Sequence, residues 1–186
     1  MTRPMVVFSH GQESGPWGTK INVMAETVRD MGCDADSVDY QGIGDPSERV
    51  TKLIEYCKPL TSPLVLVGSS MGGHVATAAA DSVSAIGLFV LAPAYYMDGY
   101  EDLTPPAPNI PVSIVHGWND DIVPVENSIR YAGEYKANLH IVDGGHRLTA
   151  NIDEICSYLA GFINALPSVR NEFCEKRRGP VQRSSA

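Results

Sequence analysis

The chain has 186 residues, 44% of them hydrophobic and 19% charged, a length and balance suited to one globular domain and not to a disordered segment. A net charge of −8 argues against nucleic acid and anionic membrane as partners. The charge is uneven, because residues 167–186 hold five basic and two acidic side chains and leave a net −11 on the preceding 166.

Met5-Val-Val-Phe-Ser9 is a short apolar run ending in His10-Gly11. Such a run predicts a strand buried on both faces, as in a parallel sheet. Lys20 to Met31 follows with Ile21, Met24, Ala25 and Val28 at helical spacing, and Gly32 ends it. Residues 35–40 give a weaker strand signal, leading into the turn Gln41-Gly-Ile-Gly-Asp45. Ser47 is the expected cap of a helix running to Cys57, closed by Pro59. Leu64-Val-Leu-Val67 is the clearest strand. Gly68-Ser-Ser-Met-Gly-Gly73 and a small-residue helix, His74 to Asp81, come directly after it.

Ile86 to Leu91 predicts a further buried strand, and Ala92 to Pro111 a loop with five prolines and three tyrosines. Val112–Val115 then reads as a strand, Val125–Tyr135 as a helix, Leu139–Val142 as a strand and Ile152–Leu166 as a last amphipathic helix. Strands and helices alternate throughout. The expectation is a three-layer α/β fold, a mostly parallel sheet of about six strands with helices on both faces. One domain is expected over residues 1–166, with a mobile basic tail from 167 to 186.

No two of Cys33, Cys57, Cys156 and Cys174 form a CxxC pair, so neither zinc nor a redox motif is expected. Scattered cysteines predict reduced thiols and a cytoplasmic protein. The run Met5–Phe8 falls short of a signal-peptide core of about 7–15 residues. No stretch approaches the roughly 20 apolar residues of a membrane span.

Gly68-Ser69-Ser70-Met71-Gly72 fits G-x-S-x-G between a strand and a helix. Small residues two positions either side of the serine let strand and helix approach, and the turn holds its hydroxyl clear of the sheet. Ser69, off-centre, is expected to pack. A serine hydroxyl needs a base, and the base an orienting acid. His116-Gly-Trp-Asn-Asp-Asp-Ile-Val-Pro124 follows one predicted strand and Asp143-Gly-Gly-His146 another. Both loops leave carboxyl ends of strands, the edge where open α/β sheets place their sites.

With these segments the chain resembles the α/β-hydrolase superfamily, in particular its small uncapped esterase and thioesterase-like members. His116-Gly117-x-x-Asp120-x-x-Val123-Pro124 is similar to the segment that carries the triad acid. The resemblance implies Asp120 as the acid, with Asp121 the rival one residue away. Gly144-Gly145-His146 is similar to the segment before the triad histidine and implies His146 as the base. The resemblance spans residues 5–166 and implies Ser70 as nucleophile, with oxyanion donors at the N–H groups of Met71 and Gln12, in the turn Ser9-His10-Gly11-Gln12.

Among the other histidines, His116 and His140 are expected to be structural. The Ala92–Pro111 segment is too short for a cap domain, so an open site is expected, with Tyr95 and Tyr96 as candidate walls and Trp17 bordering it. The implied activity is hydrolysis of a small acyl ester or thioester without a cofactor or metal. A peptidase, an acyltransferase, a hydrolase of carbon–carbon bonds and a catalytically idle binding module are the alternatives.

Overall fold

The computed structural model describes residues 3–167; the basic tail expected from residue 167 lies almost wholly outside them. Six strands and five helices alternate along the chain: β1 (Met5–Ser9), α1 (Thr19–Asp30), β2 (Asp34–Val38), α2 (Pro46–Cys57), β3 (Leu64–Ser69), α3 (Met71–Ala79), β4 (Gly87–Leu91), β5 (Val112–Gly117), α4 (Val125–Tyr135), β6 (Asn138–Val142) and α5 (Ile152–Ala165). They build one six-stranded sheet in the order β2-β1-β3-β4-β5-β6. All five pairings are parallel. This is the three-layer parallel α/β arrangement that the alternating elements predict.

Alternate residues of each buried strand feed opposite faces. Val6, Phe8, Val65, Val67, Phe89 and Leu91 pack under α1 and α5, against Met24, Val28, Ile155 and Leu159. Val7, Leu66, Leu88, Val90 and Ile114 face α2, α3 and α4, against Leu53, Val75, Ala79 and Tyr131. Burying one such side chain contributes roughly 1.5–3 kcal/mol. No helix among the described residues is long and apolar enough to cross a membrane. Cys33, Cys57 and Cys156 are free thiols.

Two helix starts differ from the sequence expectation. α2 is capped by Asp45, whose carboxylate accepts from the N–H groups of Ser47 and Glu48, with Pro46 in the first turn. Ser47 therefore lies inside the helix: a carboxylate at the cap also meets the positive end of the helix dipole. α3 begins at Met71, three residues before the expected His74, because the turn after β3 enters the helix without a linker.

The strand order reverses between β1 and β3. The chain leaves β1 toward β2 on one side and returns through β3 on the other, so the carboxyl ends of β1 and β3 border a crevice at a topological switch point. Glycines permit the close packing there. A Cβ on Gly72 would lie far inside van der Waals contact with the Ser9 carbonyl oxygen.

Gly72→Ala is therefore expected to lower the stability by about 3 kcal/mol or more, through overpacking against rigid backbone. Gly133→Ala is the contrasting change: it lies in α4 with no atom within 4 Å of the added methyl and is expected to gain about 0.5–1 kcal/mol. Urea unfolding of both variants checks the pair; an unshifted midpoint for Gly72→Ala contradicts the contact.

Candidate active site

Ser70 occupies the single residue between β3 and α3, at φ 55° and ψ −122°. That region is costly for any residue with a Cβ. Backbone hydrogen bonds fix the turn. The Ser70 N–H donates to the Leu91 carbonyl at 2.9 Å, and the Ser70 carbonyl accepts from Gly73 at 2.9 Å and Ala94 at 3.1 Å. The side chain points out of the sheet, and Ser70 Oγ lies 3.0 Å from His146 Nε2.

His146 comes from the loop after β6 and Asp120 from the loop after β5. His146 Nδ1 is 2.8 Å from Asp120 Oδ2 and 3.1 Å from Oδ1. A carboxylate only accepts, so Nδ1 carries the proton and Nε2 is left to accept from the serine hydroxyl. Asp121, the rival in the sequence, is exposed.

The Asp120 carboxylate has no solvent exposure. Oδ1 accepts from the N–H groups of Ile122 and Val123, both at 2.9 Å. Burial pushes its pKa up, but the hydrogen bonds from Val123, His146 and Ile122 outweigh that and hold it below the usual carboxylate value. A second imidazole completes the shell: His116 Nε2 lies 3.0 Å from Oδ2. The same nitrogen is 2.9 Å from the Val123 carbonyl, and His116 Nδ1 is 2.7 Å from Ser128 Oγ. The carbonyl can only accept. Nε2–H is therefore shared between that carbonyl and Asp120, while Nδ1 accepts from Ser128. Burial drives the pKa of His116 down and keeps this ring neutral. The ring, expected from the sequence to be structural, holds the Asp120 carboxylate in place. His140 is structural too, stacked on Tyr158 at 4.1 Å.

The loop after β1 is held as firmly. His10 is fully buried. Its Nδ1–H donates to the Gly11 carbonyl at 2.7 Å and its Nε2 accepts from the Tyr40 N–H at 2.8 Å. Burial lowers its pKa as well. Arg49 of α2, only 2% exposed, donates to the carbonyls of Ile43, His10 and Gly11. Its guanidinium lies 5.3 Å from the Tyr40 ring centre. Gly11 is thereby pressed toward the serine, where an added Cβ would meet Ser70 Cβ at 3.4 Å. The N–H groups of Gln12 and Met71 have no backbone acceptor among the described residues.

A cavity of about 450 Å³ opens over this constellation. The loop after β1, the first turns of α1, the Ser69-Ser70 turn, Ile122, His146, Arg147 and Thr149 line it. Gln12 and Ser70 are among its walls; Tyr95 and Tyr96 are not. Tyr95 is completely buried, its hydroxyl on Thr77 and its ring stacked on Tyr131 at 4.1 Å. Tyr96 turns toward α4, with its hydroxyl on Glu134 and its ring 3.8 Å from the Arg130 guanidinium. Both expected substrate walls are thus packing residues, because the Ala92–Pro111 loop folds against α4. Trp17 lies near Arg29, 40% exposed, and does not line the cavity.

Sequence reasoning missed Lys20. It lines the cavity, and its Nζ donates to Ser69 Oγ at 3.2 Å. Ser69 is accordingly a wall of the cavity and not a packed residue. Burial depresses the Lys20 ammonium to about 8, against an upward pull from Asp120. Among the described residues, no cluster of three His, Cys, Asp or Glu side chains is arranged to hold a metal ion.

The buried histidines set a pH dependence of stability. His10 and His116 resist protonation when folded but take up a proton near pH 6.5 when unfolded. Between their lowered values and 6.5 the unfolded state binds more protons, so stability falls as pH falls through that window. The urea midpoint is expected to be lower at about pH 5 than at about pH 7.5, and His116→Gln to flatten the slope. An identical slope in that variant contradicts the neutral ring.

A family model described as alpha/beta hydrolase family matches residues 6–163. Solved structures share the fold. An α/β-superfamily protein from Xanthomonas campestris pv. campestris is 30% identical, with a TM-score of 0.82, 88% of this chain covered and 100% of that one. Alpha/beta hydrolase domain-containing protein 10 from mouse is 22% identical, with a TM-score of 0.72 and coverage of 87% and 90%. A second Xanthomonas campestris protein, described as an α/β serine hydrolase without lid, is 19% identical, with a TM-score of 0.72 and coverage of 89% and 84%. No curated protein sequence matches the chain significantly. With a match over residues 6–163 and the fold that accompanies it, the chain belongs to the alpha/beta hydrolase family.

Proposed function

We propose that this protein is a serine hydrolase that cleaves small carboxylic esters or thioesters through an acyl-enzyme on Ser70. The observation that carries the reading is the relay Ser70 Oγ to His146 Nε2 at 3.0 Å and His146 Nδ1 to Asp120 Oδ2 at 2.8 Å.

In this reading the Ser70 oxygen bonds to the carbonyl carbon as its proton passes to His146 Nε2. Asp120 holds the imidazole and stabilises its charged form. The N–H groups of Gln12 and Met71 receive the oxyanion. Collapse of the tetrahedral species expels an alcohol or thiol, which takes the proton back from His146. Water then attacks the acyl-serine with His146 as base again, releasing the acid and restoring Ser70. No step calls on a metal or an organic cofactor.

A cavity walled by loops and not by a cap domain suits a small substrate. The Xanthomonas campestris protein described as lacking a lid offers a precedent in this fold. Free thiols at Cys33, Cys57 and Cys156 suit a reducing compartment, and the cytoplasm is the proposed location.

Fluorophosphonate labelling and turnover of 4-nitrophenyl butyrate test the proposal. Labelling is expected in the parent and lost in Ser70→Ala. Asp120→Asn is expected to cut kcat about 10⁴-fold, since the amide favours the wrong imidazole tautomer. Asp121→Asn, at an exposed carboxylate, is expected to stay within about twofold. A parent that neither labels nor turns over the ester sinks the reading and favours an idle binding module.

A further inference from the structure

Lys20 is in a poor place for a cation. It is the second residue of α1, where the helix dipole is positive. Its side chain is half-buried, and that burial depresses the ammonium. Among the described residues it forms no ion pair within 4.0 Å. Its one hydrogen-bond partner is the neutral Ser69 hydroxyl at 3.2 Å. Such a group costs stability unless something compensates it. Ordinarily a lysine at this position would extend into solvent; here it turns inward, to the residue adjoining Ser70.

We infer that Lys20 is a specificity-determining residue that binds an anionic group of the substrate, a carboxylate within a few atoms of the scissile carbonyl. The inference rests on the acyl-transfer reading and narrows its substrate class. The cavity supplies the setting: Lys20 and Ser69 share it with Ser70 and His146. An ammonium in a half-enclosed site attracts an anion far more strongly than one in bulk water. The other ionisable side chains that face this space are His10 and Glu13 from the loop after β1, and His146 and Arg147 from the loop after β6. Asp120, behind His146, also acts on Lys20. Glu13 is exposed, and Asp120 is already engaged by two imidazoles and two N–H groups. Neither carboxylate pairs with the ammonium, which leaves the charge for a ligand.

Matched esters test this. Mono-4-nitrophenyl esters of glutaric, adipic and suberic acid are compared with their methyl esters, which differ only by the charge on the acyl side. 4-Acetoxybenzoate and its methyl ester place the same charge on the leaving group. For one side or the other, the parent is expected to favour the anionic member in kcat/KM, and Lys20→Met to erase that preference by about tenfold or more. The preference is also expected to fade as pH rises through about 8, where Lys20 loses its proton. No anion preference on either side, or equal losses for both members of every pair in Lys20→Met, overturns the inference; equal losses would assign Lys20 a purely structural role. A parent inactive on all esters would instead count against the acyl-transfer reading. Calorimetric titration of glutarate and 4-hydroxybenzoate into Ser70→Ala then decides separately. Binding that Lys20→Met weakens supports the anion site; the absence of binding, or binding that is equal in both proteins, rejects it.

Discussion

The backbone strain at Ser70 is the constraint around which the rest of the site is arranged. A residue with a Cβ held at φ 55° costs of order 1–3 kcal/mol. The turn persists because its N–H and carbonyl are both tied to the β4 end, at Leu91 and Ala94. It also forces β3 and α3 close together, and only glycines at 68 and 72 leave room. Gly72 in turn lies against the carbonyls of Ser9 and His10, at the end of β1. One strained residue thus fixes the separation of three elements, and the loop after β1 must pass beside the serine.

That loop carries its own unusual charge. Arg49 is buried with no carboxylate partner among the described residues and is satisfied by three carbonyl groups and the Tyr40 ring. A buried guanidinium with several acceptors is tolerable, because its fork can address separate carbonyls at once. Two of those carbonyls, His10 and Gly11, belong to the residues directly before Gln12. A helix on one face of the sheet therefore braces a loop at the sheet edge. The tautomer of His10, fixed by the Gly11 carbonyl and the Tyr40 N–H, does the same from within the loop.

The strands were legible because parallel strands buried on both faces read as continuous apolar runs, as Leu64–Val67 does. The turn at Ser70 was legible from its glycines between a strand and a helix, whereas Asp120 and His146 were singled out by the resemblance of their segments to the α/β-hydrolase family. The cap of α2 was misplaced because Asp45 and Ser47 are both good capping residues, and only the observed Asp45 conformation decides between them. Tyr95 and Tyr96 were misread for a different reason. Aromatic residues in a loop look alike whether they face a ligand or a helix, and here α4 supplies Tyr131, Arg130 and Glu134 to receive them. Lys20 left no trace because a lysine in the first turn of an amphipathic helix is ordinarily solvated. Its inward turn depends on Ser69, 49 residues away.

The hydrogen bonds also fix where the protons sit on the imidazoles near the serine. Asp120 is held ionised by two N–H groups and two imidazoles. His116 is neutral, with one nitrogen committed to Val123 and Asp120 and the other to Ser128. His10 has both nitrogens committed to backbone. Among the imidazoles of the described residues that surround Asp120 and the loop after β1, His146 alone presents a nitrogen, Nε2, to the Ser70 hydroxyl in the cavity. In the proposed reaction, proton exchange with Ser70 runs through that nitrogen, because both nitrogens of His10 and of His116 are already committed to buried hydrogen bonds. If charging His146 is part of the reaction, the ionised Asp120 at 2.8 Å is already in place to stabilise it. His116, bonded to the same carboxylate oxygen as His146 and itself anchored to Ser128, adds a second hold on that carboxylate.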